Sequence, residues 1–271
     1  MRKIFYFLSF ALIFALNFYP AGFISKAQED YYCDTSYNGS SVGETTSIVT
    51  IDFDNYTQQA EILDRLCPNY VNVTQLNSCA PMAASIVVGY YDVDYPNLIP
   101  NFEAGVYYSG GFKYKNQNSV VIAMKEELYN LMGTNSVNPG TSVSQFKSGF
   151  TKYVNKQGYN ISYSSCGSTF NISTAKTYFE QQKPVVLFLN SYTYYSAEGI
   201  AFSEGNVSMV ERKNTNGHVA VAYGYREYTF YKGGNATTNK YLLISYGDGS
   251  QGLLLINNLS CIDQAFAISI A

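Results

Sequence analysis

Asn77-Ser78-Cys79-Ala80-Pro81-Met82-Ala83-Ala84-Ser85-Ile86-Val87-Val88-Gly89-Tyr90-Tyr91-Asp92 is the stretch around which the chain is organised. A short polar approach leads to a cysteine, a proline and an apolar run. Proline is favoured in the first helical turn, where its missing N–H is no loss, and Asn77 or Ser78 is a suitable cap. Met82, Ala83, Ile86, Val87 and Tyr90 then recur at the three-and-four spacing of a buried helical face. Cys79 therefore falls at a helix N-terminus, where the dipole and unsatisfied N–H groups favour a thiolate.

Upstream, Arg2 and Lys3 precede an apolar run from Ile4 to Tyr19, and Ser25-Lys26-Ala27 offers small residues for a signal peptidase. Residues 1–27 read as a secretory signal peptide cleaved after Ala27. The competing reading is an uncleaved anchor, since the run is about one membrane thickness at most. Cleavage would remove three bases and no acids, taking the formal charge from −3 to −6. That balance excludes the basic footprint of nucleic-acid binding and attraction to an anionic membrane surface. The expected setting is extracellular, without stable membrane association once the signal is cut.

The five cysteines are Cys33, Cys67, Cys79, Cys166 and Cys261. An odd number leaves at least one thiol outside intrachain pairing. With Cys79 unpaired, the other four could form two disulfides in any of three connectivities, or stay reduced. A single histidine excludes a His-rich metal site, and no cofactor is expected. The Asn-x-Ser/Thr sequons, beginning at Asn38, Asn55 and Asn72, carry no information in a chain this rich in Asn, Ser and Thr.

Residues 28–66 read as a polar lead or removable pro-segment, with a short helix over Thr57–Cys67 on Ala60, Ile62, Leu63 and Leu66. Residues 67–271 read as one domain. Within it, Asn69–Gln75 reads as a short strand or extended arm, and helices are expected over Ser119–Met132, from Thr141 to Gly158, and over Ser173–Gln182. Strands are expected near Tyr159–Ser164, at Val185–Leu189, and at His218–Tyr225, Glu227–Lys232, Tyr241–Tyr246, Gly252–Asn257 and Ala265–Ile270. Helices first and antiparallel strands second is an α+β pattern.

A thiolate nucleophile needs a base to hold it ionised and to protonate the leaving group, and imidazole suits both tasks. His218 is the only histidine. It opens an apolar strand after Asn216-Gly217, so it meets Cys79 only as a strand end facing a helix end. For the group that orients the imidazole, Asp248 is the candidate by chemistry and Ser245 the candidate by position, both at the end of Tyr241–Gly249. Gln75, four residues before Cys79, is the candidate oxyanion donor beside the Cys79 N–H. The abundant tyrosines are read as composition and an exposed sheet face rather than a peptide groove.

Gln75-x3-Cys79-Ala-Pro-Met-Ala-Ala-Ser85, followed by Gly89-Tyr-Tyr-Asp92 and later Gly217-His-Val-Ala-Val-Ala-Tyr-Gly-Tyr225, resembles the papain-like cysteine peptidase superfamily. The style is similar to secreted bacterial bacteriocin-processing and streptopain-like groups. The resemblance implies a papain-like α+β fold, an N-terminal helical half with a central Cys-bearing helix packed on a C-terminal antiparallel sheet. It also implies hydrolysis of a peptide or protein substrate, with Cys79 as nucleophile, His218 as general base and acid, and Gln75 as oxyanion donor. The alternatives are an acyl transferase on the same scaffold and an inactive secreted binding protein.

Overall fold

The computed structural model describes residues 31–32, 44–70, 76–109, 111–115 and 119–271. The signal segment 1–27, Cys33 and Gln75 lie outside the described residues. In chain order the elements are β1 (Tyr31–Tyr32), β2 (Glu44–Asp52), β3 (Asn55–Ile62), α1 (Cys79–Asp92), β4 (Gly105–Tyr108), β5 (Gly111–Tyr114), α2 (Ser119–Met132) and β6 (Thr141–Ser142). They continue with α3 (Val143–Lys156), β7 (Ile161–Ser165), α4 (Ile172–Glu180), β8 (Val185–Leu189), β9 (Tyr192–Ser203), β10 (Asn206–Asn214), β11 (His218–Lys232), β12 (Asn235–Ser245), β13 (Gln251–Leu255) and β14 (Ile262–Ile270).

A ten-stranded sheet dominates, in the order β2-β10-β9-β13-β12-β11-β8-β14-β7, with β3 paired to the outer part of β11. Every pairing in it is antiparallel. This overturns the expected papain-like α+β arrangement of a helical N-terminal half against a C-terminal sheet. Strands from both ends of the chain enter one sheet, and the helices form a middle segment packed on it.

Two misread stretches cause the difference. Thr57–Cys67 carries apolar residues at helix-like spacing, yet Asn55–Ile62 is a strand opposite Tyr231–Gly224. The preceding strand β2, paired with β10, lies at the sheet edge with most of its residues exposed, so its hydrophobic alternation is weak. Residues 44–62 thus supply two strands and are not a lead outside the domain. The other missed stretch is the β9–β10 hairpin, which turns at Gly205 (φ 79°).

The central strands and the helices match their sequence signals. All five residues of β8 are buried. A capping box starts α3: the Ser142 hydroxyl accepts from the Gln145 N–H, and the Gln145 side chain accepts from the Ser142 N–H at 2.9 Å. Helix α1 packs against β11 on one side and against α2 and α3 on the other. All fourteen of its residues are therefore buried, and Ile86, Val87 and Val88 each contribute about 1.5–3 kcal/mol by leaving water. Many tyrosines belong to this core rather than to an exposed face. The Tyr91 hydroxyl donates to the Ile268 carbonyl at 2.7 Å, and that of Tyr153 to the Leu98 carbonyl at 2.9 Å.

Candidate functional site

The candidate site draws on the start of α1 and the start of β11, two elements that pack against each other. On the helix side, Asn77 takes the left-handed conformation (φ 59°) that Asn tolerates. Its side chain donates to Asn135 Oδ1 at 2.9 Å, while the Asn135 amide donates to the Leu76 carbonyl and the Tyr129 hydroxyl. The chain is thereby pinned to the loop after α2 just before the cysteine. Ser78 precedes the helix without a side-chain cap, and the first helical bond runs from the Met82 N–H to the Ser78 carbonyl at 2.9 Å. Cys79 thus occupies the first helical position, at the positive end of the dipole.

On the strand side, Asn214 Oδ1 accepts from the Asn216 N–H at 2.8 Å, a side-chain-closed turn in the short link through which β10 runs on into β11. His218 opens β11 opposite Leu189. Its Nε2 lies 2.9 Å from the Tyr246 carbonyl oxygen. A carbonyl only accepts, so Nε2 carries a proton, and in the neutral ring Nδ1 is the basic nitrogen. The imidazole stacks on the Tyr246 ring with centroids 4.0 Å apart, and Tyr246 stacks in turn on Tyr194 at 4.6 Å. The Tyr192 ring lies 5.9 Å from the imidazole, and its hydroxyl is bonded to that of Tyr246.

The turn after β12 joins the two sides. Gly247 sits at φ 91°, and a Cβ there would stand 2.9 Å from Met82 Cγ. Met82 is three residues beyond Cys79 and lies on the same side of the helix. The contacts therefore run from the first turn of α1, through Met82 and Gly247, to the tyrosine that holds His218. The Asn69 side chain donates to the Gly249 carbonyl and ties the approach segment to the same turn. Cys79 and His218 are only 3% and 2% exposed.

Of the candidates for orienting the imidazole, neither side chain is the bonded group. Asp248 is exposed, and its carboxylate accepts from the Ser250 N–H at 2.7 Å and from the Ser250 hydroxyl. It closes the turn. The buried Ser245 hydroxyl donates to the Pro68 carbonyl at 3.3 Å. The Tyr246 carbonyl was missed because every residue owns one. The available signal was position, directly after the strand end where Ser245 was singled out.

Cys67, Cys79, Cys166 and Cys261 are buried thiols. Burial pushes Cys67 well above the ordinary thiol range, Cys166 up to about 12, and Cys261 upward. These three are poor nucleophiles on that ground. Among the described residues no three His, Cys, Asp or Glu side chains converge as metal ligands, and no helix is long and apolar enough to cross a membrane. Compared with known protein families, curated proteins and solved structures, the chain matches none.

Proposed function

We propose that the chain is a secreted cysteine peptidase, with Cys79 as nucleophile and His218 as general base and acid. The observation that carries the reading is the hold on His218. With Nε2–H given to a backbone carbonyl and the ring clamped by Tyr246, the imidazole presents Nδ1 as its base and keeps one tautomer. Support also comes from Cys79 at a helix N-terminus and from the likeness of the two motifs to papain-like peptidases.

In this reading His218 Nδ1 accepts the Cys79 thiol proton. The thiolate sulfur attacks the scissile carbonyl carbon, and the oxyanion is met by the Cys79 N–H, with Gln75 as the second candidate donor. Collapse of the tetrahedral intermediate breaks the C–N bond as His218 returns the proton to the leaving amine. Water, deprotonated by His218, then cleaves the thioester and restores the thiol. The Tyr246 carbonyl takes the orienting role that Asp248 was read to have.

Casein hydrolysis tests the proposal. Cys79→Ala and His218→Ala should each abolish turnover while thermal unfolding stays cooperative, and retained turnover in either contradicts it. The near-complete burial of both residues favours a second reading, an inactive secreted binding protein, in which wild type leaves casein intact and Cys79 alkylates slowly at pH 6.

A further inference from the structure

A second candidate site opens where the sheet splits. Strand β13 pairs with β9 only at Tyr194–Ser196, so the outer part of β9 leaves the sheet with β10 as one arm. The outer part of β11, with β3 and β12, forms the other. The Phe202 ring meets Tyr228 at 5.7 Å and Tyr56 at 5.2 Å, joining the arms around a cleft of about 360 Å³. Ile62, Ile200, Tyr223, Leu243 and Leu253 line it, together with Arg226.

Arg226 is the anomaly. One Nη donates to the Tyr228 hydroxyl at 3.2 Å, and the guanidinium lies 6.0 Å from that ring. Its Nε is buried without a hydrogen-bond partner, and among the described residues no carboxylate pairs with it. Glu227, next in the chain, is turned to the Tyr225 hydroxyl and Lys240. A half-buried cation in an apolar cleft without a counter-charge is costly, and a ligand carboxylate on its fork would relieve the cost.

We propose that this cleft binds an alkyl carboxylate, with the tail on the apolar walls and the head on Arg226. A peptide suits the lining less well, because its backbone groups would be desolvated among side chains that offer few polar partners. The site is separate from the Cys79–His218 pair and does not depend on it.

Isothermal titration with decanoate and 1-decanol tests this on the whole secreted chain. Decanoate should bind below about 1 mM, and Arg226→Gln should weaken it by at least about tenfold while leaving decanol unchanged. Ala197→Phe, on the exposed rim of the cleft, should remove both ligands while leaving the unfolding transition in place. Undetectable decanoate binding to wild type, or equal decanoate affinity in Arg226→Gln, overturns the proposal. Tighter binding of acetyl-Ala-Leu-Phe than of decanoate gives the cleft to peptides and overturns it as well.

Discussion

Gly247→Ala probes the joint between fold and site. The residue sits at φ 91°, and its added Cβ would lie 2.9 Å from Met82 Cγ. Holding an L-residue in the left-handed region costs about 1–2 kcal/mol, and pushing Met82 off its rotamer adds about 0.5–1.5 kcal/mol. The smaller entropy of the unfolded chain returns about 0.4–1 kcal/mol. The net loss is about 2 kcal/mol, or roughly 4–8 °C in Tm for a domain of this size. Differential scanning calorimetry reads that figure. The same variant loosens Tyr246 from His218, so Cys79 alkylation should fall more at pH 6 than at pH 9. A Tm within about 1 °C of wild type, with an unchanged pH profile, would refute the proposed coupling between Met82, Gly247 and His218.

Other outcomes follow from single contacts. Asp248→Asn keeps the acceptor for the Ser250 N–H and should retain most casein turnover. A loss on the order of 10⁴-fold would return the orienting role to the Asp248 carboxylate. Gly149→Ala places a Cβ 2.5 Å from the Met132 backbone nitrogen, where α2 crosses α3. Overpacking there should exceed the gain of about 1 kcal/mol in helix propensity, so a raised Tm contradicts the crossing. Burial pushes the Glu211 carboxyl up, but the Lys213 ammonium and the Ser47 and Tyr195 hydroxyls outweigh it and hold it below its ordinary 4.5. Its stabilisation is thus full above pH 4.5 and lost as pH falls through the lower folded-state pKa. Urea titration of Glu211→Gln should show lower stability at pH 7 and a smaller difference at pH 3, and a constant difference counts against the sign.

The helices were legible because their apolar residues keep a 3.6 period, over fourteen positions in α1, α2 and α3, and stop signals follow, as at Gly133 and Gly158. The central strands were legible as short apolar runs. What escaped was sheet structure without buried alternation: β2 exposes most of its side chains at an edge, and the end of β3 with the residue after it imitates a helix over Ala60, Ile62 and Leu63. Once these join β10 and β11, the sheet takes strands from both ends of the chain, and the fold class changes. The places of Cys79 at a helix start and of His218 at a strand start were legible from the Pro81 helix signal and from the apolar run after Asn216-Gly217. The clamp on His218 was not, because its Nε2–H donates to a backbone carbonyl and its ring stacks on Tyr246, twenty-eight residues further along the chain.

The central claim is that His218 holds Cys79 as a thiolate. The most direct measurement is the rate of iodoacetamide modification at Cys79, followed by mass spectrometry from pH 5 to pH 10 in wild type and His218→Ala. The account predicts a wild-type rate that is already level near pH 6, and a variant rate that rises only toward the ordinary thiol pKa of about 8.5. A wild-type rate that itself waits for about pH 8.5, or one that His218→Ala leaves unchanged, contradicts it.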